Sequence, residues 1–344
     1  MMERYVYDFT EGGPDIAGLL GDKGAGLAEM TRLGLPVPPG FTVTSEACRV
    51  FMATGAPPGG LEEQIAHHLA ALERATGKRL GQVDDPLLLS VRSGALSPGR
   101  SDTVLDVGLN DLSVLGLGKT PERERFAWDS YRRLVHMFGS TIMGVDGSLF
   151  EDVMGRLVRR RAVADDSRLD NVDLIRLVQS FKDLIVERTG EEFPQDPAEQ
   201  LRRAVLAVFT ASDGERARGP RHRERVPEHV GTAVTVQTMV FGNLAPDSGS
   251  GIVFVRDPAT GRPGVHGDYL PNAQGEDVVA GIRTTLPLER LAELDPAAYG
   301  RLRDCVDRLE AEHEDLYAVE FTIERGTLWM LEARVGDRAV SDAL

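Results

Sequence analysis

Tyr317-Ala-Val-Glu-Phe-Thr-Ile-Glu-Arg-Gly-Thr-Leu-Trp-Met-Leu-Glu-Ala-Arg334 alternates residue by residue, breaks at Gly326 and alternates again. Such a pattern predicts a β-hairpin. With a three-residue turn at Arg325-Gly326-Thr327, Glu324 pairs with Leu328, and counting outward sets Glu320 across from Glu332 and Ala318 across from Arg334. Two carboxylates facing each other at roughly 5 Å on one sheet face repel. A hard cation between them reverses the sign, and oxygen ligands on neighbouring strands suit Mg²⁺. Arg334, one step along the same face, is placed to grip a phosphate. For the hairpin taken alone, a solvated polar face is the alternative.

Around this hairpin the composition is that of a soluble globular protein, with 344 residues, 42% hydrophobic and 27% charged. The length suggests two or three lobes, each with its own core. A formal net charge of -15 opposes binding to nucleic acid or an anionic membrane, so a phosphate site has to be a local basic pocket. Cys48 and Cys305, far apart in sequence, are the only cysteines, so no disulfide framework or cysteine-based metal site is expected. No apolar run approaches the roughly 20 residues of a membrane span, and the N-terminus lacks the apolar core of a signal peptide. The expected compartment is the cytoplasm.

The texture divides the chain into residues 1–110, 111–208 and 209–344. The first part mixes turns with short apolar runs. There Gly21-Asp-Lys-Gly-Ala-Gly26 opens a helix from Leu27 to Leu33, Phe41-Thr-Val-Thr44 is a strand before a helix capped at Ser45, and Leu87 to Ser93 is a continuous apolar strand ending with Arg92. The middle is helical: Leu174, Leu177, Val178, Phe181, Leu184 and Ile185 recur at helical spacing and stop at Gly190, and Trp128, Tyr131, Leu134 and Val135 form a similar stripe. Residues 213–229 are a basic loop. Strands follow at 232–240 and 251–255, and then a helix from Pro296 to about Glu312 that buries Tyr299, Leu302, Val306 and Leu309.

Four segments besides the hairpin can carry chemistry, each with a plainer alternative. Lys23, among small residues at a helix start, adds a point charge where backbone N–H groups already attract anions; a simple capped helix reads the same way. Ser90-Val-Arg92-Ser-Gly-Ala-Leu-Ser-Pro-Gly-Arg100-Ser-Asp102 runs from a strand into a small-residue loop that can cover phosphates. A turn explains its Gly and Pro, but a guanidinium in an apolar strand needs a partner. Val236-Gln-Thr-Met-Val-Phe-Gly-Asn243 can read adenine through its backbone with Met239 on the base, or Met239 and Val240 can be core. Asn272-Ala-Gln-Gly-Glu276-Asp-Val-Val-Ala-Gly-Ile-Arg283 suits a ribose or metal contact, or an ordinary helix start.

In their order these segments resemble the N-terminal nucleotide-binding region of pyruvate phosphate dikinase, an ATP-grasp type domain shared with phosphoenolpyruvate synthase. The likeness runs nearly the whole length, through Gly21 to Met30, Gly40 to Thr44, Ser90 to Ala95, Asp102 to Leu105, Asp129-Ser-Tyr-Arg-Arg133, Glu192 to Gln195, Gly231 to Asn243, Asn272 to Gly281 and Glu320 to Glu324. It implies an α+β fold of ATP-grasp type, with two β-containing lobes around a nucleotide cleft and an inserted helical subdomain. It also implies Mg-ATP as ligand and phosphoryl transfer to a histidine on a separate domain. By resemblance Lys23 and Arg92 hold phosphates, Glu320 and the residue at 332 hold Mg²⁺, and Arg334 contacts the terminal phosphate. Gln237, Met239 and Val240 line the adenine pocket, and Glu276 helps to complete the site.

The chain departs from the family pattern at several points. Ala318 stands where the family has Asp, and Glu332 where it has Gln. The loop after Ser-Gly-Ala is shorter and carries Arg100 as a new charge, and the basic loop at 216–225 lacks the family's aromatic residues. None of the seven His residues lies in a phosphohistidine-domain motif, so the chain alone is not expected to run the full pyruvate reaction. The leading expectation is an ATP-dependent phosphotransferase component acting on a separate histidine-bearing protein or a small acceptor. The alternatives are a catalytically weakened ATP-binding regulatory or partner subunit, and a truncated dikinase, against which the changed site residues argue.

Overall fold

Threonine alternating with branched apolar residues builds the first of two five-stranded sheets. In the computed structural model, which describes residues 3–94, 103–213, 231–256, 262–279, 284–313 and 316–335, these strands are β1 (Val6–Asp8), β2 (Gly40–Val43), β3 (Leu89–Ser93), β4 (Thr103–Val107) and β5 (Val234–Thr238), in the order β1-β2-β5-β3-β4. The β2–β5, β5–β3 and β3–β4 ladders are antiparallel. Because side chains alternate across a strand, one face carries Phe41, Val43, Val234, Val236, Leu89 and Val91, all buried. The other carries Thr42, Thr235, Gln237, Ser90 and Arg92. Leu89–Ser93 is therefore not a uniformly apolar strand: Ser90 and Arg92 share a polar face.

This sheet belongs to a unit made of Met1–Tyr7, Leu19–Gly21 and Gly40–Met239. Between β4 and β5 the described residues are mostly helical, with long helices at Pro121–Thr141, Gly147–Arg161, Asn171–Thr189 and Pro197–Asp213. The helix Asn171–Thr189 buries Leu174, Leu177, Val178, Phe181, Leu184 and Ile185 as expected, and Gly190 ends it in the left-handed conformation. The helix Ser45–Thr54 is capped by Thr44, whose side chain accepts from the Ala47 N–H, rather than by Ser45.

A second unit comprises Asp8–Gly18, Asp22–Pro39 and Val240–Leu344. Its sheet consists of β6 (Gly249–Arg256), β7 (Pro263–Pro271), β8 (Leu286–Pro287), β9 (Leu316–Glu324) and β10 (Thr327–Val335), in the order β10-β9-β6-β7-β8, with antiparallel ladders throughout. Val253, Val319, Phe321, Ile323, Leu328 and Met330 meet Leu302, Val306 and Leu309 of the helix Pro296–Glu312, and Leu27 and Met30, in one core. Helices and two largely antiparallel sheets make the fold α+β. Among the described residues no helix is long and apolar enough to cross a membrane.

The expected hairpin is present, but its inner register differs. Glu324 pairs with Thr327, not Leu328, across a two-residue turn at Arg325-Gly326. Both turn residues have positive φ (48° and 70°), the mirror-image turn that matches strand twist and favours Gly at its second position. The pairs Leu328–Ile323 and Met330–Phe321 then face the core. A bulge follows: the register shifts between Met330 and Glu332, leaving Leu331 as the extra residue. Beyond it Glu332 faces Glu320 and Arg334 faces Ala318, the outer pairs that the sequence predicts, reached by a different route.

Candidate nucleotide site

The bulge decides which side chains leave the core. In a regular strand Leu328, Met330, Glu332 and Arg334 all share one face. One extra residue turns the outer half over, so that Ala333 packs on the core and Glu332 lies opposite Glu320. The outer face of the hairpin then carries two carboxylates and Arg334.

Four charges meet there, all within the second unit. Lys23 Nζ donates to Glu332 Oε2, Arg334 Nε donates to Glu332 Oε1 at 3.2 Å, and Arg334 Nη2 donates to Glu320 Oε1. Lys23 and Glu332 are each only 8% exposed. Ion pairing of this kind offsets the several kcal/mol that burying either charge alone would cost. Lys23 is delivered by a helix spanning Ala17–Arg32, longer than the expected Leu27–Leu33, which breaks at Gly21 (φ 67°, ψ 168°). The break places Lys23 in the first turn of the second helical piece, where free N–H groups and the helix dipole favour anions. A Cβ at Gly21 would also meet Gly94 O at 3.2 Å and Ala233 Cβ at 3.4 Å.

Glu320 and Glu332 supply hard oxygen donors on adjacent strands, the donor chemistry that Mg²⁺ prefers. Among the described residues no group of three or more His, Cys, Asp or Glu forms a metal cage. Two carboxylates, with phosphate oxygens and water completing the octahedron, are nonetheless the usual way of holding this ion. The residues present therefore fit Mg²⁺ accompanied by a nucleotide. Ala318 is fully buried, paired with Arg334, and adds no ligand.

The first unit holds a second cluster. Thr42, Thr235, Arg92 and Thr103 are direct partners across β2, β5, β3 and β4, so neighbouring Cβ atoms lie roughly 5 Å apart on one face. Thr42 and Thr235 are 1% and 0% exposed, and neither hydroxyl has a hydrogen-bond partner among the described residues. Arg92 Nε is likewise buried without one. Unpaired buried donors cost about 1–3 kcal/mol each, so this polar row has capacity that the described residues leave unused. Gln237, the next residue along the face, is 3% exposed. Sequence reading found Arg92 and Gln237 but missed Thr42 and Thr235; the signal was their alternation with Phe41, Val43, Val234 and Val236.

Of the adenine-pocket candidates, β5 ends at Thr238, so Met239 and Val240 lie beyond the strand and are half-buried rather than core. Met239 N–H donates to Leu88 O at 2.9 Å. Just beyond, Glu324 Oε2 accepts the Phe241 N–H at 2.7 Å and pins that segment, a role the sequence did not disclose. Glu276 lies in the helix Gly275–Val279, its side chain outside the described residues, and Arg100 is also outside them. Gln274 is 4% exposed and neither amide atom has a partner among the described residues, which adds it to the candidates.

The motif Asp129-Ser-Tyr-Arg-Arg133 has a local structural explanation. Arg132 donates to Asp129 at 3.0 and 2.7 Å, and Arg133 at 3.1 Å. Burial pushes the Asp129 carboxyl up, but Arg132 and Arg133 outweigh it and hold the group well below the usual carboxylate range.

Helices with two largely antiparallel five-stranded sheets make this a fold of the ATP-grasp type. The family model for the AMP/ATP-binding domain of pyruvate phosphate dikinase matches residues 17–75 and 53–289. The pyruvate, phosphate dikinase of Clostridium symbiosum is 45% identical over 347 residues, covering 100% of this chain and 40% of that protein. The enzyme of Rhizobium meliloti is 44% identical with the same coverage, and the chloroplastic enzyme 1 of Arabidopsis thaliana is 44% identical over 99% of this chain and 36% of its own length. The chain belongs to the pyruvate phosphate dikinase AMP/ATP-binding domain family, and it spans about 40% of the length of these relatives.

Proposed function

We propose that the chain binds Mg-ATP and serves as the phosphoryl-donating component of a phosphotransferase, passing the group to a histidine on a separate domain or protein or to a small acceptor. The observation that carries this reading is the Glu320–Glu332 pair facing across the hairpin beside Arg334, with Lys23 on the same cluster. Glu320 and Glu332 would hold Mg²⁺, which neutralises phosphate charge during transfer. Lys23, Arg92 and Arg334 would take the phosphate oxygens and keep the moving group in line. Phosphoryl transfer asks mainly for such positioning and charge neutralisation. Gln237, Met239 and Val240 would contact adenine, Glu276 would complete the site and Arg100 would reach the phosphates. The division at residues 110 and 208 is our proposed functional subdivision of the chain.

Ala318 favours a second reading, an ATP-binding regulatory or partner subunit with weakened turnover, because the position offers no carboxylate. Incubating the chain with ATP, Mg²⁺ and the histidine-bearing domain of a pyruvate phosphate dikinase separates the two. AMP with a phosphorylated histidine supports dikinase-type transfer, and ADP supports ordinary kinase chemistry. Tight binding with neither product supports the regulatory subunit.

A further inference from the structure

The charge cluster on the hairpin is self-neutralising: Lys23, Glu332, Arg334 and Glu320 form an unbroken series of opposite charges. Within the nucleotide reading above, on which this inference rests, its two carboxylates are the metal ligands and its two cations are the phosphate ligands. The same four groups thus satisfy one another when neither ligand is bound. A metal-free nucleotide would have to draw Lys23 from Glu332 and place its phosphates beside a buried carboxylate left without its lysine, a like-charge contact in a poorly solvated spot. A free divalent cation would have to displace Lys23 and leave that ammonium, 8% exposed, next to a dication. Only the two together keep the charges matched, with phosphates taking the cations and the metal taking the carboxylates.

We propose that Glu332 is a specificity-determining residue: by holding Lys23 until a divalent metal replaces it, Glu332 makes the site select metal-complexed nucleotide over the free nucleotide. An amide at this position would carry no charge with which to sequester the lysine.

Calorimetric titration of the full chain with ATP, once with excess Mg²⁺ and once with EDTA, tests this in the wild type, Glu332→Gln and Lys23→Gln, with circular dichroism melting as the fold control. In Glu332→Gln the affinity for metal-free ATP rises at least tenfold, and the preference for Mg-ATP collapses by the same factor or more. In Lys23→Gln the metal-free affinity falls, because the Glu332 carboxylate, no longer covered by the lysine, repels the phosphates, and Mg-ATP binding weakens about tenfold. The second variant decides the matter if the first does not fold. Unchanged or weaker metal-free binding in Glu332→Gln, or undiminished metal-free binding in Lys23→Gln, overturns the assignment while leaving the nucleotide reading intact. Failure of the wild type to bind ATP under either condition overturns both.

Discussion

The two clusters of candidate site residues handle their cations in opposite ways. On the hairpin, Lys23 and Arg334 are paired with Glu332 and Glu320 inside the folded chain. On the first sheet, Arg92 Nε is buried without a hydrogen-bond partner among the described residues, beside two equally unsatisfied threonine hydroxyls. A paired cation contributes to stability and must be released to bind an anion. An unpaired buried donor costs stability and gains when an anion or an ordered water arrives. Two cations with the same formal charge and the same expected ligand should therefore respond differently to removal.

The sharpest way to break this contrast is to delete each cation in turn. Lys23→Ala takes the ammonium away from a buried carboxylate, Glu332, and urea unfolding should show a loss of about 3 kcal/mol. Arg92→Ala should leave stability within about 1 kcal/mol of wild type, because Arg92 Nε has no hydrogen-bond partner among the described residues to lose. Its effect should appear in calorimetry as Mg-ATP binding weakened about 10- to 100-fold. Equal stability losses for both variants would erase the distinction.

Next in size is a pH effect confined to the first unit. His136 packs against Phe150 and Phe181, with ring centroids at 4.9 and 5.8 Å. Burial, aided by Arg132, pushes its pKa down to about 4. The folded state thus favours the neutral ring, and its contribution is complete above the unfolded value near 6.5 and lost as pH falls towards 4. The loss at pH 4 should be about 2–3 kcal/mol. His136→Phe should flatten this part of the stability–pH curve, as read by thermal melts at pH 7, 5.5 and 4.

Two smaller substitutions sharpen the picture. Thr235→Val removes a buried hydroxyl without a described partner and keeps its shape, so it should stabilise the ligand-free chain by about 1 kcal/mol. A cost in stability would mean that the hydroxyl is satisfied in solution. Gly326→Ala forces a side chain into positive φ at the hairpin turn and should destabilise by about 1 kcal/mol. Its Mg-ATP affinity should match wild type, since the turn lies several residues from the charge cluster.

Much of this was legible in the sequence because it depended on local periodicity. The core faces of the helices Asn171–Thr189 and Pro296–Glu312 follow from residue spacing, and both appear as expected. The order of motifs identified the family, which the comparisons bear out. Less legible was whatever depended on two strands meeting. Thr42 and Thr235 are ordinary strand residues until β2 and β5 pair and set them side by side next to Arg92. The hairpin turn was misplaced by one residue because Gly326 suits either a two- or a three-residue turn. The apolar pairs Leu328–Ile323 and Met330–Phe321 settle the matter, and they conflict with the polar Glu332 and Arg334 at the same parity unless one residue is extra. Pairings that belong only to the folded chain, such as Lys23 with Glu332 across 309 residues, leave no local trace.

Leu331 has a consequence for how such a strand can change. It acts as a phase shifter, separating the stretch whose even-numbered residues serve the core from the stretch whose even-numbered residues serve the outer face. Removing it would restore a regular ladder in which Met330 still meets Phe321 and Glu332 still meets Glu320. A deletion in the middle of a strand, ordinarily a register-breaking event, is here the one change in length that preserves every partner.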